Sequence, residues 1–343
     1  MILISNADHY IGYSITSHLG SHPDIRSQLR ILCQNDTLCT NFKSQGIDVR
    51  KTDYQHPHYL SLAMRNVDHL VLVVGSQVDR VTYARNLCRV ALRSGIKSII
   101  LISHVGALCP NLESSLLDYA LVEDEIISNA DCTWTILRAD WIQQDFHLWT
   151  TYAEKYRTFP LPIHASTEFC PIDIHDVCAS VASLLLVSNQ GSGSICVVDE
   201  LNDRYAGQVY TLTGPQVVDG KNIIRSLINA THYTGFQFDQ IRPRDLQHYL
   251  HSLQIDLSFD TRLKKDGARI RKDDLKSDTY RYNIIKAPTR SDQQVQDFLD
   301  YFEWVSHTYS SISIPHVKLL TNKPPKSMDT FFLENAISFK PRE

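Results

Sequence analysis

No two of the chain's eight cysteines stand at CxxC spacing. Without paired ligands a zinc site is not expected, and no metal ligands are assigned. Several cysteines fall inside apolar strand or helix patterns, where the thiol behaves as a small hydrophobe. They read as reduced, in a cytosolic or nuclear protein. A long hydrophobic run is missing too: the longest, Val181 to Val187, is too short to span a bilayer. The first strand pattern starts at Met1 with no basic segment before it, so no secretory leader is expected. An excess of one charge is also lacking. The formal net charge of -4 favours neither nucleic acid nor an anionic membrane. Low-complexity tracts, internal repeats and a clear linker are absent. What remains, at 43% hydrophobic and 21% charged residues over 343 positions, is an ordinary globular balance with ample length for a core.

The positive signal is alternation. Residues 2–4, 29–33, 47–50, 69–74, 98–103 and 133–138 read as strands, mostly as continuous apolar runs. Between them lie helical patterns. The first carries Ile11, Ile15 and Leu19 on one face; a longer one carries Val81, Ala84, Leu87, Cys88 and Ala91 and stops at Gly95. Continuous apolar strands alternating with helices predict a parallel sheet covered on both faces. The expected fold is α/β: a Rossmann-type doubly wound sheet over residues 1–158, then a smaller α+β C-terminal lobe over 159–343 that returns strands and helices to the sheet. In that lobe Asp176 is placed as the cap of a helix over 177–186. Ser291 to Gln294 has capping-box spacing and opens a helix with Val295, Phe298, Leu299, Phe302 and Val305 on one face. Residues 262–290 are polar, carry both charge signs, and read as an irregular exposed excursion. Their basic residues are interrupted by Asp266, Asp273 and Asp274, which argues for a solvated loop over a nucleic-acid patch.

A ligand crevice in such a sheet lies at the carboxyl ends of the strands. Those ends are Ser5-Asn6, Gln34, Asp53, Gly75-Ser76 and Ser103-His104. The first strand–loop–helix is where a dinucleotide-binding fold keeps its phosphate loop. Three glycines normally stand there; here the positions hold Asn6, His9 and Gly12. Asparagine tolerates the positive φ of the first position. Gly12 keeps the helix–strand packing of the third. His9 blocks the close backbone approach served by the second. Asp8 is placed to cap the helix amides itself and to repel a diphosphate. A protonated His9 touching phosphate is the alternative; the self-capped loop is the favoured reading.

The order of five segments resembles the NmrA-like group of atypical short-chain dehydrogenases/reductases. They are Ile2-Leu3-Ile4 with its altered loop; Gly46-Ile47-Asp48-Val49 leading to Asp53; Ala91 to Ser103; Trp134-Thr135-Ile136-Leu137-Arg138; and Ile172 to Asp176 followed by Tyr210 to Pro215. Ala139 stands where the family has proline. The likeness runs over about residues 1–255, with a similar tail at Pro324-Pro325 and Phe331-Phe332. It implies a dinucleotide-binding domain, a smaller lobe and a cleft between them, in a family that holds both NAD(P)H-dependent reductases and nucleotide-binding regulators.

The candidate cofactor-binding residues are Asn6, Asp8, His9, Tyr10, Gly12, Gln34, Asn35, Asp53, Gly75 and Ser76. Gln34-Asn35 supplies neither the acid that reads a ribose nor the base that takes a 2′-phosphate. Asp53 reads either as lining an adenine pocket or as a helix cap. Candidate catalytic residues are Ser103, His104 and Tyr119. The lysine that should follow Tyr119 by four residues is Glu123, an acid expected to raise the tyrosine's pKa. His104 reads as a proton donor to a carbonyl or, more simply, as a polar loop residue. The leading expectation is a regulator or binding protein that binds NAD(P) weakly or not at all and acts through protein partners. The alternative is an NAD(P)H-dependent oxidoreductase acting on a small carbonyl, enone or quinone. The expected partners are a dinucleotide or small molecule in the cleft and a protein, with no membrane and no nucleic acid.

Overall fold

The computed structural model describes residues 1–109, 111–128, 132–188, 193–253, 291–307 and 312–341; the segment 262–290 lies outside the described residues. The strands are β1 (Ile2–Ile4), β2 (Leu29–Cys33), β3 (Asp48–Lys51), β4 (His69–Val73), β5 (Ser98–His104), β6 (Thr133–Ala139), β7 (Thr158–Leu161), β8 (Leu186–Ser188), β9 (Ile195–Val197), β10 (Gln208–Leu212) and β11 (Gln237–Gln240). The α-helices are α1 (Tyr10–Gly20), α2 (Thr40–Ser44), α3 (Pro57–Ala63), α4 (Arg80–Arg93), α5 (Leu117–Ile127), α6 (Thr150–Tyr156), α7 (Ile174–Leu185), α8 (Gly220–Thr231), α9 (Pro243–Ser252), α10 (Asp292–His307), α11 (His316–Thr321), α12 (Met328–Glu334) and α13 (Ala336–Phe339).

Seven strands form one sheet in the order β10-β6-β5-β4-β1-β2-β3, with every neighbouring pair parallel. This is the doubly wound α/β fold expected from the sequence. Strands β1, β2 and β4 are buried at every residue, because helices cover both faces. One apolar cluster lies between the sheet and the α1–α7 face. Another lies under α3, α4 and α5. A third, rich in aromatic rings, fills the C-terminal lobe around Trp149, Phe159, Phe302 and Phe331. Strand order reverses at β1, which pairs with β2 on one side and β4 on the other. The crevice of the fold opens there, at the carboxyl ends.

Two helix starts refine the expectations. The cap of α7 is Asp173, not Asp176. Asp173 keeps an extended backbone and accepts from the His175 N–H at 2.7 Å. Asp176 falls inside the first turn, where its carboxylate accepts the Lys326 N–H at 2.8 Å. Helix α10 makes only half of its capping box. Ser291 Oγ accepts from the Gln294 N–H and donates to the Ser76 carbonyl, while Gln294 Oε1 has no partner among the described residues. Val295, Phe298, Phe302 and Val305 are buried, as their spacing predicts, while Leu299 is only partly buried against the same cluster. Among the described residues no helix is long and apolar enough to cross a membrane.

Candidate functional site

Asn6 turns the chain out of β1 with φ at 48°. It stands in for the first glycine in two ways. It accepts the left-handed conformation, and its side-chain amide donates to the Val73 carbonyl at 2.7 Å, tying the loop to β4. The Asn6 N–H is satisfied by Tyr54 Oη at 2.8 Å. Gly12 is required by space: a Cβ there would run into the backbone carbonyls of Asn6 and Ser5.

Asp8 does not cap α1, contrary to expectation. The helix starts from His9, and no side chain caps it. Asp8 Oδ2 instead accepts the N–H groups of Gln34 and Asn35, at 3.0 and 2.8 Å, beyond the end of β2. The turn at Asn6 delivers the side chain toward β2, whose first amides past the ladder attract an anion. The helix amides are therefore left for a ligand or water.

His9 fills the place of the second glycine. Its Nε2 lies 2.9 Å from Gln77 Nε2, and the same Gln77 amide donates to Gln34 Oε1 at 2.9 Å. An amide NH2 can only donate, so His9 Nε2 accepts and the ring is neutral. Burial lowers the His9 pKa below its ordinary value, with Asp8 pulling the other way. Gln77 thus bridges the loop and the end of β2, folded over the bare backbone of Gly75. Asp53 lies away from this bridge. It is exposed and accepts from the Gln55 N–H and His56 in a tight turn ahead of α3, so it does not cap the helix, whose cap is His56. Its neighbour Tyr54 points inward.

Ser103, His104 and Tyr119 do meet at one cleft with His9, Tyr10, Gly75 and Ser76. The Ser103 hydroxyl, however, donates to Glu123 Oε1 at 2.5 Å. Glu123 is in turn held by Arg138, with contacts of 2.9 and 2.5 Å. The acid at the lysine position therefore consumes the serine. Tyr119 has a raised pKa, as expected, but the cause differs. Burial raises it most; Asp297 and Asp118 add to that, and Arg80, 4.9 Å from the ring centre, opposes it. His104 accepts the Gly106 N–H on Nδ1 at 2.9 Å, which leaves the ring proton on Nε2. Burial lowers its pKa to about 4, so near neutrality it is an uncharged donor.

The cleft has a volume of about 130 Å³, small against the several hundred typical of ligand pockets. Residues not foreseen from the sequence close it. Asp140 accepts from Tyr301 Oη and from the Trp141 N–H, at 2.6 and 2.7 Å, and burial raises its pKa to about 6. Trp141 packs 4.5 Å from the Phe298 ring centre. Tyr10 Oη, Trp141 Nε1 and Gln294 Oε1 are buried around the cleft and unpartnered among the described residues. Only the helix pattern at 291–305 hinted at this roof, because Asp140 meets Tyr301 and Arg80 meets Asp297 across 161 and 217 positions of chain.

Known proteins bear on this geometry. A family described as NAD(P)H-binding matches residues 11–161. Quinone oxidoreductase 2 of Escherichia coli is 28% identical over 148 residues, 43% of this chain, and the chain spans 50% of that relative's length. The solved NADPH-dependent quinone oxidoreductase of E. coli, complexed with NADPH, superposes with a TM-score of 0.66 at 18% identity, covering 96% of this chain and 98% of that one. NmrA, a negative transcriptional regulator in complex with NADP, gives 0.57 at 13% identity, covering 71% and 74%. At these identities the structural likeness is one of fold, shared by an enzyme and a regulator alike. The sheet is of the Rossmann type, residues 11–161 match the NAD(P)H-binding family model, and most of the altered phosphate loop lies just ahead of the matched stretch.

Proposed function

We propose that this protein is a binding protein on a dinucleotide fold, with weakened affinity for NAD(P) and no serine–tyrosine–lysine chemistry, whose occupancy is read by protein partners. The carrying observation is the Gln77 bridge. Its amide joins His9 to Gln34 across the lane a pyrophosphate must follow to reach the α1 amides. A bound dinucleotide has to break that bridge first. The committed Ser103–Glu123–Arg138 chain supports the same reading, since it removes the hydroxyl and the cation from proton transfer.

Calorimetric titration with NADH tests this. Dissociation constants weaker than about 100 μM are expected, and micromolar binding, about -8 kcal/mol, overturns the reading. Gln77→Ala should tighten NADH binding about tenfold, some 1.4 kcal/mol; no change would remove the bridge from the account.

A second reading has its own support: an NAD(P)H-dependent reductase of a small carbonyl, enone or quinone. His104 presents a neutral N–H to the cleft, suited to polarising a carbonyl oxygen. The E. coli relative is named a quinone oxidoreductase. Turnover of small quinones with NADPH, abolished in His104→Phe, would establish this reading in place of the first.

A further inference from the structure

The carboxylate of Asp8 is divided between two situations. Oδ2 is anchored by the Gln34 and Asn35 N–H groups. Oδ1 is buried and has no partner among the described residues, in a residue only 8% exposed. An unpartnered buried carboxylate oxygen is costly, by about 1–3 kcal/mol, unless something donates to it. The position matters as much as the vacancy. The end of β2 is where this fold reads the adenosine ribose, ordinarily with an acid carried by β2 itself. Here that place holds Gln34 and Asn35, neither of them acidic.

We propose that Asp8, reaching over from the loop after β1, takes the place of the missing β2 acid and selects an adenosine ribose with a free 2′-hydroxyl. With the Gln77 bridge opened, as a bound dinucleotide requires, Oδ1 accepts from the ribose hydroxyl. A 2′-phosphate meets a fixed negative charge on the two amides that would otherwise welcome it. On this edge of the sheet Lys51 Nζ lies 3.8 Å from Asp36 Oδ1. The selection is for NAD(H) over NADP(H), opposite to the solved E. coli quinone oxidoreductase, described as NADPH-dependent. This inference rests on the reading that the cleft still admits a dinucleotide weakly.

The test uses adenosine end groups alone, free of any redox readout: ADP-ribose and its 2′-phosphorylated counterpart, titrated into the full chain by ligand-observed NMR up to millimolar concentration. ADP-ribose should bind at least tenfold tighter. Asp8→Ser should bring the two affinities within about twofold by admitting the 2′-phosphate; its thermal unfolding is checked first, with Asp8→Asn as the conservative substitute if it fails to fold. Equal or tighter binding of the phosphorylated probe to wild type overturns the proposal. So does a ratio unchanged by the substitution, or binding of neither probe. The absolute affinity for NADH judges the weakened-binding reading, while the ratio of the two probes judges Asp8, so either can fail without the other.

Discussion

Asp140 and His104 face one cleft, and their titrations oppose each other. Burial takes His104 from 6.5 down to about 4. Between those values the unfolded chain takes up a proton that the folded chain refuses, so stability falls as pH drops. Burial takes Asp140 from 3.8 up to about 6. There the folded chain holds the extra proton, so stability rises as pH drops through that window. In the wild type the two effects largely cancel. Asp140→Asn keeps an acceptor for Tyr301 and Trp141 but removes one titration. Its stability should therefore fall by about 2 kcal/mol more than wild type between about pH 6.5 and about pH 4.5. Urea unfolding at the two pH values checks this; parallel curves for the two proteins would contradict it. At this scale the sequence was legible where one residue meets its own backbone, as with the positive φ of Asn6 and the tight packing at Gly12. It was not legible where a side chain chooses among distant partners. Asp8 had helix amides close by in sequence and took those of Gln34 and Asn35 instead.

Helix α10 is placed by charge as much as by its apolar face. The Arg80 guanidinium, its side chain fully buried, donates to Asp118, to both oxygens of Asp297 and to the Ser115 carbonyl. Asp300 accepts from the Ser115 N–H at 2.5 Å. Removing the arginine leaves two carboxylates facing each other in a partly buried place. Arg80→Ala should destabilise the fold by about 3–5 kcal/mol. Amide hydrogen exchange should quicken across Asp292–His307 before the sheet is affected. Uniform protection in the variant would show that the apolar face alone holds the helix. The 3.6-residue period showed this helix from sequence, because Val295, Phe298 and Phe302 repeat on one face. Its docking site did not show, since nothing local to Asp297 names Arg80, 217 positions earlier.

For the whole molecule, alternating apolar runs were enough to give the parallel sheet, because a strand buried on both faces has no freedom in its side-chain pattern. The cleft was legible only as a location. Its small volume depends on how Asp140, Trp141 and Tyr301 pack, and the bridge beside it on where Gln77 reaches. Since α10 joins Arg80 on one side of the crevice to the aromatic cluster on the other, the two parts should unfold together. Tryptophan fluorescence, dominated by Trp141, Trp149 and Trp304 in that cluster, and far-UV circular dichroism should give coincident urea transitions. Separate transitions would show that the parts unfold independently.

The bond from Ser291 to the Ser76 carbonyl crosses 215 positions of chain. A ribosome making this protein finishes β1 to β6 long before it reaches α10. Throughout that interval the nascent chain carries the floor of the cleft without its roof, with Trp141 uncovered by Phe298 and Phe302. The protein therefore has a stage of synthesis in which its crevice is open to the cell, and closure of the site marks the late arrival of α10.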